Sequence, residues 1–260
     1  MIKLIVTDMD GTLLSDEKKL PTDFWEIEQK LYENGILLGI ASGRQYYNLI
    51  EVFDKVKDRM LFLAENGTFV VHRGQELFCN PLDKNNVNSI IDTARKIPDS
   101  YIILCGKNSA YIENPDERFL EILFKHYSKV EKVDDLKTVD DTFLKVTMCD
   151  FIDSQTNSFP YFSDFTECKV AVSGKNWLDI TNATANKGSA LLKIQEKLGI
   201  MDSETVVFGD FLNDFEMMEL SENSYAMKNS HPEILKILKF ITEFDNNENG
   251  VTATIKKILS

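Results

Sequence analysis

The sequence has few cysteines and histidines, and it has no long apolar run. Its 260 residues include four cysteines and three histidines. The cysteines are widely spaced, without a Cys-x-x-Cys pair or a zinc-binding spacing, and we predict that they are buried reduced thiols. No apolar stretch approaches the roughly 18 residues that cross a bilayer, and the first residues lack the layout of a signal peptide. The sequence therefore predicts a cytoplasmic protein without a membrane segment.

Positive charge is also scarce. The chain carries 42 acidic and 29 basic side chains, for a formal net charge of -13. This balance argues against nucleic acid or an anionic membrane as a partner. It also repels a phosphorylated substrate at long range, so a phosphate site would have to be built locally from a metal ion, a lysine and backbone N–H groups. The length suffices for one large domain or two modest ones.

An apolar run that stops at two carboxylates opens the sequence, as Lys-Leu-Ile-Val-Thr-Asp-Met-Asp-Gly-Thr over residues 3–12. The run is typical of a parallel strand covered on both faces, and such sheets bind ligands at the carboxyl ends of their strands. Asp8 and Asp10 stand two apart, so an extended backbone would point both carboxylates the same way. Magnesium accepts such oxygen ligands together with phosphate oxygens. A solvated acidic turn is the alternative interpretation of this motif alone.

A second polar stretch, Ser42-Gly43-Arg44, follows the apolar run 36–41. A hydroxyl and a glycine between a strand end and a helix start allow a phosphate oxygen to contact Ser42 and free N–H groups. Ser42 could instead cap the helix, and Arg44 could be a solvated side chain. Asn66, with Gly67 after a strand near 60–64, is interpreted mainly as a turn residue that could also face the site.

Two further polar stretches lie in the last third of the chain. Lys187 falls in the first turn of a predicted helix, where the helix dipole disfavours a cation, which indicates a fixed anion nearby. A solvated lysine is the alternative. Asp210 follows the predicted strand 205–208 and suits a third magnesium ligand. Asn213 and Asp214 begin the next helix, either as caps or as contacts to phosphate, Lys187 or metal-bound water.

Strand and helix patterns alternate at both ends of the chain, which predicts an α/β fold with a Rossmann-like, doubly wound parallel sheet. Between them, hairpins among helices predict an inserted α+β module with helices on one face of an antiparallel sheet. A weaker helix is predicted at about 154–164. We expect the core to contain residues 1–81 and 186–260 and the inserted module to contain residues 82–185.

Asp8-x-Asp10-Gly-Thr12, Ser42-Gly43-Arg44, Lys187-Gly188 and Gly209-Asp210-x-x-Asn213-Asp214 together resemble the four ordered motifs of the haloacid dehalogenase-like hydrolases. Ser42 stands where many relatives have threonine and keeps the hydroxyl. The long insertion between the second and third motifs is similar to that of the Cof-type subgroup, which carries an α+β (C2B-type) cap there. The resemblance implies that residues 82–185 are a cap that selects the substrate.

The resemblance also implies a chemistry, that of a magnesium-dependent phosphatase acting on small phosphomonoesters, with sugar phosphates as the usual substrates of such relatives. Asp8 would attack phosphorus and form an aspartyl-phosphate, and Asp10 would be the general acid and base. Magnesium would be bound by Asp8, the carbonyl oxygen of Asp10 and Asp210. The implied phosphate contacts are Ser42, the Gly43 N–H, Lys187, Asn213 and Arg44, with Asp214 in support.

Two alternatives stay open at this point. A phosphomutase of the same superfamily shares the first motif and would return the phosphoryl group to the sugar. A non-catalytic phosphometabolite-binding protein would keep the fold alone, although clustered charges without a use would be costly to retain. In each case the expected partner is a small phosphorylated metabolite, and the protein is expected to be a monomer or a homodimer.

Overall fold

The computed structural model describes residues 1–238 and 240–259. The strands in this part of the chain are β1 (Leu4–Asp8), β2 (Leu37–Ala41), β3 (Leu61–Ala64), β4 (Phe69–His72), β5 (Gln75–Cys79), β6 (Ser100–Gly106), β7 (Ala110–Ile112), β8 (Val130–Lys132), β9 (Phe143–Asp150), β10 (Cys168–Gly174), β11 (Trp177–Asn182), β12 (Thr205–Gly209), β13 (Asn223–Ala226) and β14 (Phe240–Ile241). The α-helices are α1 (Phe24–Glu33), α2 (Tyr46–Val52), α3 (Lys84–Ala94), α4 (Glu117–His126), α5 (Lys187–Leu198), α6 (Phe215–Glu219), α7 (Pro232–Ile237) and α8 (Gly250–Leu259).

The chain divides into two compact units. The first contains Met1–Gly43, Phe53–Phe78 and the chain from Asn186 onward, and the second contains Arg44–Val52 and Cys79–Ala185. This grouping differs from the division expected from the sequence mainly at α2, which belongs to the second unit. The function of each predicted domain stays a prediction.

The first unit is built on an eight-stranded sheet of order β14-β13-β12-β1-β2-β3-β4-β5. The strands from β14 to β3 are parallel, and β4 joins β3 as an antiparallel neighbour. The register pairs Thr7 with Phe208 and Asp8 with Ala41, so the carboxyl ends of β12, β1 and β2 lie side by side. The predicted parallel α/β core is confirmed.

Strand β1 is fully buried because helices cover the sheet. Leu4 and Val6 point to one face and pack in a cluster with α5 and α6 residues. Complete burial of such a side chain stabilises the fold by about 1.5–3 kcal/mol. The packing of these buried aliphatic side chains holds β1 in place, and Asp8 at its end is therefore held in a fixed position.

The second unit has a six-stranded sheet of order β10-β11-β9-β6-β7-β8, in which only the β7–β8 pair is parallel among the described pairings. Ile102 and Leu104 of β6 pack in a cluster with α3, whereas Ile103 and Cys105 pack in a cluster with α4. Neighbouring residues of a strand point to opposite faces. The two helices therefore cover opposite faces, and the prediction that they share one face was wrong.

The predicted helix at 154–164 is also absent as an α-helix. A single π-helical turn covers Ser154–Ser158, and a 3₁₀ turn covers Phe159–Phe162. Pro160 lacks the N–H that a continuous helix needs, and the side chains of Ser158 and Asn157 donate hydrogen bonds to the buried Asp150 carboxylate. Local polar contacts thus replace helical ones.

The four cysteines are free thiols, three of them buried and Cys79 half-buried. Burial raises the pKa of the Cys149 thiol to about 12 and that of the Cys168 thiol above its usual range. The predicted burial is confirmed for Cys105, Cys149 and Cys168, and it was wrong for Cys79. None of the described helices has both the length and the apolar character needed to cross a membrane.

Candidate active site

Three carboxylates meet at the carboxyl ends of β1 and β12. Asp8 is the last residue of β1, Asp210 follows β12, and Asp214 lies in the 3₁₀ turn before α6. One oxygen of each lies within 4.8 Å of the other two. Asp214 is fully buried and Asp8 is 6% exposed. The predicted convergence of the first and fourth motifs is therefore present in the fold.

Lys187 supplies the ammonium of this cluster. Its side chain is fully buried, and Nζ donates hydrogen bonds to Oδ1 of Asp8 at 2.5 Å and to Oδ1 of Asp214 at 2.6 Å. Lys187 is the first residue of α5, where Asn186 caps the helix by accepting a hydrogen bond from the Ser189 N–H at 2.7 Å. A cation at a helix N-terminus is unfavourable by itself. The two carboxylates thus provide the fixed anions that the sequence indicated.

The charges of the cluster do not balance. Burial raises the pKa of Asp8 to about 8, against the opposing effect of Lys187, and the nearby Asp214 and Asp210 raise it further. Burial likewise raises the pKa of Asp210 to about 6, although a hydrogen bond from Thr12 at 2.6 Å opposes the rise. Burial favours a neutral Lys187, yet the two carboxylates keep its pKa above the ordinary value. With all three carboxyl groups ionised, the single ammonium of Lys187 would leave negative charge uncompensated, so the ionised cluster favours a further cation.

The donor set fits a hard divalent cation, because the clustered ligand atoms are carboxylate oxygens. Asp214 is already engaged: one oxygen accepts from Lys187, and the other accepts from the N–H groups of Asp210 and Phe211 at 3.0 and 3.1 Å. Asp214 therefore orders the loop and the lysine. Asp8 and Asp210 are the side chains best able to coordinate an ion.

Asp10 does not belong to the group formed by Asp8, Asp210 and Asp214, although its charge adds to the raised pKa of Asp210. The convergence of the Asp8 and Asp10 carboxylates stays a prediction. The backbone is no longer extended after β1, and Asp10 Oδ1 accepts a hydrogen bond from Lys18 Nζ at 2.8 Å. Gly11 follows with φ +86°, and a Cβ atom there would lie 2.6 Å from Asp210 Oδ2. This left-handed turn brings the first motif against Asp210 and leaves the Asp10 side chain 35% exposed.

The second motif lies at the end of β2, next to β1. Ser42 is buried and its N–H donates to the carbonyl of Leu63 at 2.9 Å. The Asn66 N–H donates to the Ser42 carbonyl at 2.9 Å, and a Cβ atom at Gly43 would lie 3.1 Å from the Asn66 side-chain amide. Arg44 belongs to the second unit and donates to Asn48 Oδ1 at 3.1 Å. Phosphate binding by Arg44 stays a prediction.

Asn213 is exposed, and its Nδ2 donates to Asn66 Oδ1 at 3.2 Å. Asn66 thus contacts two motifs at once, which the sequence did not indicate beyond its position after a strand end. Thr12 was named in the first motif without being given a role, and Asn229 was not named. Thr12 donates to Asp210, and Asn229 Nδ2 donates to the Gly11 carbonyl at 2.8 Å. No local pattern marks Asn229, because its partner is distant in the chain.

Comparison with known proteins identifies the family. Residues 5–255 match the family model of the haloacid dehalogenase-like hydrolases. The chain is 34% identical over 263 residues to the 5-amino-6-(5-phospho-D-ribitylamino)uracil phosphatase YbjI of Escherichia coli strain K12, covering 99% of this chain and 96% of that protein. The crystal structure of SMU.1108c from Streptococcus mutans UA159 superposes with a TM-score of 0.87 at 26% identity, covering 100% of this chain and 99% of that one.

A structure of the subclass IIB sugar phosphatase BT4131 has the same fold, with a TM-score of 0.81 at 20% identity and 98% coverage of both chains. The four motifs, the acidic cluster at the strand ends and the matches along nearly the whole chain agree with one another. The chain belongs to the haloacid dehalogenase-like hydrolase family, in its Cof-type phosphatase group.

Proposed function

We propose that this protein is a magnesium-dependent phosphatase that hydrolyses small phosphomonoesters, foremost sugar phosphates, through a phosphoryl group carried by Asp8. The observation that carries this proposal is the buried cluster of Asp8, Asp210 and Asp214 around Lys187. Its excess negative charge supports a cation site, and its position at strand carboxyl ends supports a substrate site.

Asp8 is the proposed nucleophile. One of its oxygens forms the new bond to phosphorus while the bond to the leaving alcohol breaks, which divides one difficult hydrolysis into two steps. Lys187 supports this role, since its hydrogen bond at 2.5 Å orients the carboxylate and favours its ionised form. A magnesium ion bound by Asp8, the carbonyl of Asp10 and Asp210 would supply positive charge that neutralises the developing charge on the phosphoryl group.

Asp10 is the proposed general acid and base. Its side chain lies outside the acidic cluster and is 35% exposed, so it can exchange protons with a leaving group and with water. A proton on Asp10 passes to the leaving oxygen in the first step. In the second step Asp10 takes a proton from the water that attacks the phosphorylated Asp8. The surroundings of the two residues differ, which supports different roles for them.

The remaining phosphoryl oxygens are assigned to Ser42, the Gly43 N–H, Lys187 and Asn213. Ser42 and Gly43 follow β2, directly beside the end of β1. Asp214 holds Lys187 and the N–H groups after β12, so it acts in support. The inserted second unit is proposed to select the substrate. The Escherichia coli relative is named for a ribityl phosphate, and the same class of ester is the first candidate here.

Phosphate release from purified protein tests the proposal. The panel contains sugar phosphates, 5-amino-6-(5-phospho-D-ribitylamino)uracil, nucleotides and a generic aryl phosphate, each with magnesium and with a chelator. The variants are Asp8→Asn and a matched control, Asp54→Asn, which alters an exposed aspartate paired with Lys57. We expect magnesium-dependent release that Asp8→Asn abolishes and Asp54→Asn leaves unchanged.

The same assay distinguishes the alternatives. An isomerised sugar phosphate without free phosphate would identify a phosphomutase. Binding of esters by a folded protein that neither releases nor transfers phosphate would identify a binding protein. Release that continues at the wild-type rate in Asp8→Asn would overturn the assignment of the nucleophile.

A further inference from the structure

We propose that Asn66 is a positioning residue of the phosphate site, which orients the side-chain amide of Asn213 through their hydrogen bond. The inference rests on the proposed function, because phosphate contact by Asn213 is itself proposed. Asn66 belongs to none of the four motifs. Its assignment comes from the contacts that the turn at residues 65–67 makes with the second motif, with the fourth motif and with the residues on either side of the third.

The turn has an unusual backbone. Glu65, Asn66 and Gly67 follow β3 with φ angles of +51°, +55° and +86°. Non-glycine residues rarely adopt the left-handed region, and such conformations concentrate at functional sites, where the surrounding structure holds them. Asparagine tolerates this region better than most residues. The turn therefore has a demanding backbone conformation that the surrounding structure must hold.

The turn is attached to the second motif. The Asn66 N–H donates to the Ser42 carbonyl at 2.9 Å. A Cβ atom at Gly43 would lie 3.1 Å from both Oδ1 and Nδ2 of Asn66. The Asn66 amide thus lies against the Gly43 backbone, in a space that a side chain at residue 43 would narrow. The position of the Asn66 amide is therefore fixed relative to the Gly43 N–H, which is a proposed contact to phosphate.

The turn also abuts the helix that carries Lys187. A Cβ atom at Gly67 would lie 2.5 Å from the carbonyl oxygen of Asn186 and 3.0 Å from the Ala190 Cβ. The turn therefore approaches the first turn of α5 as closely as backbone atoms allow. Residues 65–67 are therefore held against the second motif and against the start of α5.

Asn213 of the fourth motif is the residue that needs this fixed partner. It is exposed in a short 3₁₀ turn, and its Nδ2 donates to Asn66 Oδ1 at 3.2 Å. That bond uses one N–H of the amide and sets the amide plane, so the second N–H keeps a defined direction for a phosphoryl oxygen. Without this bond the Asn213 side chain would rotate until phosphate bound. Phosphate binding would then have to order the side chain, which lowers the affinity for phosphate.

The test uses Asn66→Gly. Glycine adopts the left-handed conformation without strain, so the turn is kept while the amide is removed. The probe is inorganic phosphate in the presence of saturating magnesium, measured by titration calorimetry. We expect its dissociation constant, and the KM of the phosphate esters, to rise about threefold to tenfold, from the loss of one preorganised side chain. The magnesium dissociation constant should stay unchanged. Asn114→Gly is the matched control, because Asn114 is an exposed left-handed asparagine of the second unit.

A double-mutant cycle separates positioning from a structural effect. If Asn66 acts through Asn213, the double variant Asn66→Gly/Asn213→Ala should bind phosphate as weakly as Asn213→Ala alone. Additive losses, or wild-type affinity in Asn66→Gly, would overturn the proposal, as would a wild-type protein that does not bind phosphate. A wild-type protein that binds phosphate but hydrolyses no ester would refute the proposed function alone, and the cycle would still decide on Asn66.

Discussion

At the scale of single residues, the most consequential property of the site is its charge. Asp8, Asp210 and Asp214 surround one ammonium, and the pKa values of Asp8 and Asp210 are raised to about 8 and about 6. Without a metal ion Asp8 thus holds its proton near neutral pH, and Asp210 takes one up near pH 6, whereas coordination of a metal ion requires both groups deprotonated. Metal binding and proton release are therefore coupled.

We predict that magnesium binds more tightly as the pH rises from 6 to 8. Below its raised pKa each carboxyl group keeps its proton, so the ion must displace it, and the affinity can rise by up to about tenfold per pH unit for each proton released. Calorimetry in two buffers of different ionisation enthalpy measures the released protons. Asp8→Asn should release fewer. An affinity that is flat over this pH range would contradict the raised pKa values.

Asp10→Asn separates chemistry from metal binding. Turnover should fall by about 10²–10⁴-fold, the usual contribution of a general acid and base. The magnesium dissociation constant should stay near that of the wild type, because the proposed ligand is the backbone carbonyl of residue 10. Steady-state kinetics and magnesium titration of the same preparation measure both quantities. A well-folded variant that no longer binds magnesium would refute the assignment.

Lys187→Met tests the buried ion pairs. Removing the ammonium leaves Asp8 and Asp214 without their partner, which we expect to cost about 3–5 kcal/mol in the free energy of unfolding at pH 8. Lys187 lowers the pKa of Asp8, so its removal raises that pKa further; Asp8 then keeps its proton at pH 5, less uncompensated charge is buried there, and the deficit should shrink. Urea unfolding at both pH values measures it.

The control for this prediction is Lys193→Met. Lys193 lies on the same helix, but it is half-exposed and pairs with Glu196. An exposed pair of this kind contributes only about 0–1 kcal/mol, so little change is expected at either pH. An equal loss of unfolding free energy in the two lysine variants would contradict the buried-pair interpretation. A loss in Lys187→Met that grows toward acid pH would also contradict it.

At the scale of elements, the position of Lys187 depends on how closely α5 approaches α6. Gly188 has no side chain at the contact, and a Cβ atom there would lie 2.6 Å from the Glu216 carbonyl carbon and 2.7 Å from its oxygen. These are backbone atoms, which cannot move as a flexible side chain can. A larger residue at 188 must push the two helices apart.

Gly188→Ala should therefore destabilise the protein, even though alanine is the better helix former. Overpacking costs about 1–3 kcal/mol, whereas the gain in helix propensity is about 1 kcal/mol at most. The shift of α5 should also lower phosphatase activity through Lys187. Urea unfolding and steady-state kinetics measure the two effects.

Lys193→Ala, on the exposed side of α5, should change the unfolding free energy by less than about 0.5 kcal/mol. A stabilised Gly188→Ala would show that the helices can separate freely.

The elements themselves follow from sequence to different degrees. Continuous apolar runs predicted β1, β2, β3 and β12 to within about two residues, since burial on both faces leaves a clear pattern. The short β8 was not predicted, because its three residues are mostly exposed and pair with β7 alone in this sheet. The turns at 154–162 and the opposite faces of α3 and α4 depend on contacts between distant residues.

At the scale of the whole molecule, the candidate site follows from local motifs only in part. Asp8, Lys187 and Asp210 were predicted because each stands at a strand end or a helix start, and parallel strands bring such ends together. The hydrogen bonds from Lys18 to Asp10 and from Asn229 to Gly11 were not predicted. They join loops whose relative position only the folded chain determines.

Charge is the property of the whole molecule with the most direct effect on the proposed substrate. The formal net charge of -13 repels a phosphate ester dianion, while the proposed local contacts to Lys187, magnesium and N–H groups would attract it. Salt affects the long-range repulsion and the local attraction differently. The Debye length falls from about 30 Å at 0.01 M to about 8 Å at 0.15 M, so salt screens the distributed surface charge much more than the buried contacts.

We therefore predict that KM for a phosphate ester falls several-fold as sodium chloride rises from 0.01 to 0.15 M at saturating magnesium. The repulsion weakens while the short-range attraction in the site persists. Initial rates with an aryl phosphate measure KM and kcat, and kcat should change little, because chemistry occurs after the ester is bound. Choline phosphate, whose ammonium offsets one charge, is the control ester and should show the smaller salt effect. A KM that rises with salt for both esters would mean that local positive charge, rather than the acidic surface, governs how the substrate approaches the site.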